Sequence, residues 1–178
     1  MTLHDDATGV LAGWAAPNAA QGTLRSRYLA HLAGHPDGLA KPCFPAHLTA
    51  SCLVMSTDRS RVLLTLHAKA RQWFQFGGHC EPSDATLAGA ALREATEESG
   101  LTDLTMLDGP VHLDAHRVDF CHPRGPVDHL DVRYVAITSY DEPVVSDESL
   151  EVAWWPIDGL PTDEPSMREL VDLALRLP

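Results

Sequence analysis

No continuous apolar run in this chain approaches the ~18 residues that cross a bilayer as a helix, so a membrane span is not expected. Its four cysteines, Cys43, Cys52, Cys80 and Cys121, contain no C-x-x-C pair, and the N-terminus has neither the basic start nor the apolar stretch of an export signal. Reduced cysteines and a cytoplasmic location are the corresponding expectations. Basic residues are scarce as well: 13 Lys and Arg stand against 25 Asp and Glu, a formal net charge of −12. That balance disfavours nonspecific binding to a nucleic-acid polymer, which depends on clustered cations, so any nucleotide substrate is expected to be small and brought in with its metal.

What is present fits one ordinary globular unit: 178 residues, 44% hydrophobic and 21% charged. Residues 1–42 differ from the rest. They mix Ala-rich and Gly- or Pro-bearing stretches with one helical candidate from Thr23 to about Leu32, and read as a partly helical N-terminal extension before a domain over 43–178. Tyr28, Leu29 and Leu32 form a stripe that could pack on the core or on a second copy in a homodimer. Strand patterns follow at Leu48 to Met55, Arg61 to His67, Pro110 to Cys121, His129 to Thr138 and around Val152 to Trp155, and Leu170 to Leu177 suggest a closing helix. The order predicts an α/β fold with a mixed sheet between helices.

The most informative stretch is Arg93-Glu94-Ala95-Thr96-Glu97-Glu98-Ser99-Gly100-Leu101. At roughly 100° per residue, Glu94 and Glu98 lie nearly one above the other on a helix and Glu97 flanks them. Alone, such carboxylates read as a solvated acidic face; together they also offer oxygen ligands to a hard divalent cation. Thr86 is a candidate N-cap, Leu87, Ala88, Ala91, Leu92 and Ala95 an apolar stripe, and Gly100 a left-handed C-cap. Upstream, Gly77 and Gly78 allow a tight backbone turn and an exposed carbonyl. Arg93 is expected to pair with an acidic neighbour such as Asp84 or Glu97.

Gly78 to Leu101, about an eighth of the chain, resembles the Nudix box, G-x5-E-x7-R-E-U-x-E-E-x-G-U with U a bulky apolar residue. The sequence departs from it in having Asp84 for the first Glu, eight residues rather than seven before Arg93, the small Ala95 at a U position, and Phe76 where many relatives have Pro. The resemblance implies the α/β/α sandwich of Nudix proteins and hydrolysis of a nucleoside diphosphate linked to another moiety. It implies Mg²⁺, or Mn²⁺ in its place, held by Gly78, Glu94, Glu97 and Glu98, with Arg93 supporting them. The general base falls either in the box or in a later loop, where Glu148 and Glu151 are candidates. Two other readings accompany the hydrolase: a catalytically silent nucleotide sensor, and an enzyme like isopentenyl diphosphate isomerase using Cys80, Cys121 and histidines.

A second polar pattern alternates along the strand candidates. His112, Asp114 and His116 share one strand face, and His129, Asp131 and Arg133 repeat the arrangement. Paired antiparallel, they form either the polar face of a half-exposed sheet or two rows lining a substrate cleft, with Arg133 on a phosphate or carboxylate; Zn²⁺ bound there would depend on His112 or Asp131. Trp73, Phe74 and Phe76 are candidates to stack on a base or to pack in the core. Lys69 and Arg71 could hold phosphates or form a solvated turn, and His79 and Cys80 are expected as lining residues.

Overall fold

The computed structural model describes residues 1–119, 121–139, 142–144 and 149–178. Among them are two N-terminal helices, α1 (Leu3–Gly13) and α2 (Ala19–Gly34), and the strands β1 (Ala46–Ser56), β2 (Arg61–His67), β3 (Trp73–Phe74) and β4 (Phe76–His79). Then come α3 (Leu87–Ser99), β5 (Thr105–Met106), β6 (His112–Val118), β7 (Val127–Thr138), β8 (Ser149–Pro156) and α4 (Pro165–Ala174).

The strands form one mixed sheet in which long strands share their edges. β7 runs parallel to β1 over residues 46–56, while the other edge of β1 is divided between β4 at Thr49 to Cys52 and β2 at Val54 and Met55. β7 in turn pairs with β6 along its first half and with β5 near its end, both antiparallel. β2 carries β8 on one edge and β1 and β3 on the other. β1 is therefore enclosed laterally as well as on its faces, which is why its residues from His47 onward read as buried without interruption.

Side-chain alternation divides the core. Leu48, Ala50, Cys52 and Val54 of β1 face a cluster completed by α1, α2 and α3, through Ala7, Leu11, Tyr28, Leu32, Leu87, Ala90, Ala91 and Ala95. Leu53 and Met55 point the other way, onto Val135 and the α4 residues Met167, Leu170, Val171 and Ala174. The result is the expected α/β layering, with helices on both faces of a mixed sheet. The Tyr28 and Leu32 stripe packs within this chain, fully buried in the core.

Local chemistry explains the helix limits. The Thr86 side chain accepts the Gly89 amide at 3.0 Å, and Gly100 closes α3 in the left-handed region at φ 71°, both as the sequence suggests. α4 begins earlier than the apolar stripe alone indicates, with Pro165 in its first turn, where a missing amide hydrogen costs nothing. α1 is absent from the sequence reading. Its signature is the reciprocal cap in which Thr2 and Asp5 each accept the other's amide, at 3.1 and 2.8 Å.

Candidate active site on the acidic helix

The site is organised around Arg93. Its Nε and Nη2 donate to the two carboxylate oxygens of Asp84, each at 3.1 Å, in a planar fork that suits a guanidinium. Nη2 also donates to the carbonyl of His79 at 3.0 Å, while Nη1 donates to Glu94 at 3.1 Å and to Glu97 at 3.0 Å. One cation thus ties the loop before α3, the end of β4 and two glutamates of α3 into a single constellation. The Asp84 pairing raises the Arg93 pKa further, so its charge is permanent. Burial pushes the Asp84 carboxyl up, but its bonds to Arg93 and to the Glu81 amide outweigh this and hold it below the usual value.

The extra residue before Arg93 and the shorter acid are accommodated together. Asp84 closes a turn by accepting the Glu81 amide at 2.7 Å, which draws the loop back toward α3 and brings the short carboxylate within reach. Its side chain is only 6% exposed.

Gly77 and Gly78 do not form the expected tight turn; they lie within strand β4. Their lack of a side chain serves close approach instead. A Cβ at Gly77 would stand 2.3 Å from Ser51 Cβ and 2.7 Å from Ser51 Cα, and one at Gly78 would stand 2.7 Å from Glu94 Oε1 and 2.8 Å from its Oε2. The Glu94 carboxylate is therefore seated directly over Gly78. Glu98 is half-buried on the same helix, and Glu97 is the exposed member of the three. Carboxylate oxygens over bare backbone, with solvent access on one side, are the donor type that a hard divalent cation takes, but among the described residues the three glutamates are not drawn together as a ready ligand group, since Arg93 holds Glu94 and Glu97.

Other candidates are placed elsewhere. Glu148 lies outside the described residues. Glu151 is exposed on β8, in register with Leu66. Phe76 is fully buried in the core, and Trp73 packs edge-on against Trp155 with ring centroids 5.2 Å apart. Cys80 is buried, and burial pushes its thiol up to about 12, so it supplies no thiolate near neutral pH.

The two polar rows do pair antiparallel, with His112 opposite Arg133, Asp114 opposite Asp131 and His116 opposite His129. The paired face is half-exposed in part: His116 is exposed, Asp114 and His129 are half-buried, and His112, Asp131 and Arg133 are buried. Arg133 and Asp131 are 4% and 3% exposed and are consumed internally. Asp131 accepts from Thr49, Ser51, Gln75 and Arg133 at 2.7 to 3.3 Å, and Arg133 also donates to Asp114 at 2.9 Å. Such a closed network offsets the desolvation of its charges only because each is bonded repeatedly. His112 faces Glu169 of α4 at 3.4 Å and joins no metal-ligand group among the described residues.

Sequence reasoning missed one support of the site. Asp6 of α1 accepts the Leu87 amide at 2.8 Å, placing a carboxylate at the N-terminus of α3, where unpaired amides and the helix dipole favour negative charge. Nothing local signals a contact between residues 81 apart in sequence.

Comparison with known proteins bears on the fold and the family. No curated protein matches the chain in sequence. A NUDIX family hydrolase from Clostridium perfringens has a similar structure, with 25% identity and a TM-score of 0.59, covering 72% of this chain and 97% of that one. The NUDIX domain of Shewanella oneidensis NrtR, solved with ADP-ribose, is similar in fold at 20% identity and a TM-score of 0.56, covering 72% and 85%. The E. coli dihydroneopterin triphosphate pyrophosphohydrolase shares the fold at 15% identity and a TM-score of 0.59, covering 73% and 96%. The family model described as NUDIX domain matches residues 45–174, most of the chain and all of the Arg93 constellation, and this protein accordingly belongs to the Nudix hydrolase family.

Proposed function

We propose that this protein is a Mg²⁺-dependent pyrophosphohydrolase that cleaves the pyrophosphate bond of a nucleoside diphosphate linked to another moiety, with Mn²⁺ able to replace Mg²⁺. The observation that carries the reading is the seating of Glu94 over Gly78 under the control of Arg93, which also fixes Asp84 and Glu97. Glu94, Glu97 and Glu98, with the Gly78 backbone, would hold the cation. When bound, Mg²⁺ supplies neutralisation of the pyrophosphate charge and a more acidic water. Arg93 holds the Glu94 carboxylate in place before substrate arrives, so that little reorganisation is required during reaction. Proton removal from the attacking water belongs to a helix glutamate or to Glu148 or Glu151.

The relatives suggest where to begin with substrates. One is solved with ADP-ribose, another is a C. elegans Ap4A hydrolase, and a third acts on dihydroneopterin triphosphate. These three compound types, with sugar nucleotides and oxidised nucleoside triphosphates, form the panel. The net charge of −12 disfavours a nucleic-acid polymer, so a small nucleotide brought in with its metal is the substrate class that fits.

The experiment is release of phosphate or nucleoside monophosphate across that panel with Mg²⁺, beside Glu97→Gln and Glu98→Gln. Turnover by wild type that falls by about 10²-fold or more in both variants, with their melting temperatures kept, supports the hydrolase. Tight nucleotide binding without turnover, under Mg²⁺ or Mn²⁺, would instead make the protein a sensor, and an allylic diphosphate product would make it an isomerase.

A further inference from the structure

A second cluster of chemistry-bearing side chains lies on the opposite face of the sheet from α3. β1, β4 and β7 bring three histidines together: His47 is in parallel register with His129, and His79 pairs at Thr49, two residues along β1 on the same face. Their ring centroids are 4.9 to 5.1 Å apart pairwise. Cys121, from the segment joining β6 to β7, completes the group, with Sγ 3.2 Å from the Nε2 of both His79 and His129. One ligand atom from each of the four residues lies within 4.8 Å of all the others.

Tetrahedral zinc with N and S ligands at about 2.0–2.3 Å places those ligands roughly 3.3–3.6 Å from one another; the two contacts of Cys121 are already that close, and the widest separation, at most 4.8 Å, would close by no more than about 1.5 Å. The histidine at the centre is prepared for it. His47 is fully buried, its Nδ1 lies 3.1 Å from the Cys43 carbonyl, and its buried Nε2 has no hydrogen-bond partner. A proton on Nδ1, donated to that carbonyl, leaves the Nε2 lone pair free to ligate, with the His79 and His129 ring centroids 5.0 and 4.9 Å from that of His47. An orphaned ring nitrogen inside a group of two imidazoles and a thiol is otherwise unexplained.

We infer that His47, His79, Cys121 and His129 form a structural Zn²⁺ site, separate from the carboxylate site. Four protein ligands leave no open position for water or substrate, which distinguishes such a site from a catalytic one. Its effect is mechanical: the metal would pin the segment containing Cys121 to three strands, and His79 directly follows Gly78 and gives its carbonyl to Arg93. The same ion would thereby hold the end of β4 that receives Glu94.

The test uses the full chain without a polyhistidine tag. Metal content is measured by mass spectrometry after growth with zinc and dialysis, for wild type, Glu97→Gln, Cys121→Ser and His129→Asn, with circular dichroism to check folding. The expected result is stoichiometric zinc in wild type and Glu97→Gln, and its loss in Cys121→Ser and His129→Asn. Because those variants could misfold, wild type stripped of metal is also titrated with Co²⁺ alone; an intense tetrahedral visible spectrum with a thiolate charge-transfer band is expected. Absence of both zinc and that spectrum in wild type overturns the inference. So does zinc that survives both ligand substitutions in folded protein, or zinc lost only in Glu97→Gln, which would place it among the carboxylates.

Discussion

Replacing Gly77 or Gly78 by alanine adds the same methyl group one residue apart, but the structure assigns the two changes opposite consequences. At Gly78 the three atoms nearest the methyl all belong to the end of the Glu94 side chain, the closest at 2.7 Å, where ordinary contact begins at 3.4 Å, so the carboxylate must retreat by about 0.7 Å. None of these three atoms is backbone, so the closest contacts are relieved by rotating a flexible side chain. The stability cost should stay under about 1 kcal/mol, or less than about 4 °C in Tm for a domain of this size. Octahedral Mg²⁺ tolerates little ligand displacement, and a misplacement near 1 Å costs on the order of 10²-fold in rate, so turnover should fall by about that factor. At Gly77 the methyl meets Ser51 Cα at 2.7 Å and the Ala50 carbonyl oxygen at 2.9 Å, and β1 cannot move away because β7 is paired along its other edge. Overpacking of about 3 kcal/mol, or about 6–12 °C in Tm, is expected there. The assay pairs thermal unfolding with initial rates on whichever panel compound wild type hydrolyses. Full activity in Gly78→Ala, or a Tm loss equal to that of Gly77→Ala, would refute the assignment of Glu94 to its seat over Gly78.

Two further outcomes follow from the hydrogen bonds. Because the folded-state pKa of Asp84 is depressed, its pairing with Arg93 stabilises fully above its usual value of 3.8 and is lost as pH falls through the lowered value. Asp84→Asn should therefore cost about 1.5–3 kcal/mol at neutral pH, and the gap in urea midpoints should narrow toward wild type as pH falls below the usual carboxylate range; a pH-independent gap would contradict this. Gln21 exchanges two buried hydrogen bonds with the Leu113 backbone, at 2.7 and 3.0 Å, and so acts as a short strand on the open edge of β6. Gln21→Ala should cost about 2–4 kcal/mol by urea unfolding, and a change within the ~0.5 kcal/mol of a surface substitution would show that water replaces it.

The acidic helix was legible because everything defining it is local. Thr86, the apolar spacing, the three glutamates and Gly100 fall within fifteen consecutive positions and obey helix geometry. The strands were legible for the same reason, although the four-residue β4 and the two-residue β3 and β5 were hidden, since they are held by neighbours rather than by any pattern of their own. The roles of Arg133 and Asp131 stayed open in the sequence because alternation reveals which residues share a face, not whether that face is covered. Here α4 covers it, and Ser166 accepts from Arg133 at 3.3 Å. The histidine and cysteine cluster is dispersed over Cys121 and three strands, so only register could assemble it.

The contact between Asp6 and the first amide of α3 bears on how this protein should be handled at the bench. Family similarity begins at residue 45, and a fragment cut there would be a natural choice for expression. Such a fragment would lose the carboxylate at the head of the acidic helix, together with Ala7, Leu11, Tyr28 and Leu32 from the largest apolar cluster. It would expose the underside of the sheet to solvent and to other chains. An inactive or aggregating fragment would then report on where it was cut, while the chemistry of Glu94, Glu97 and Glu98 went unexamined.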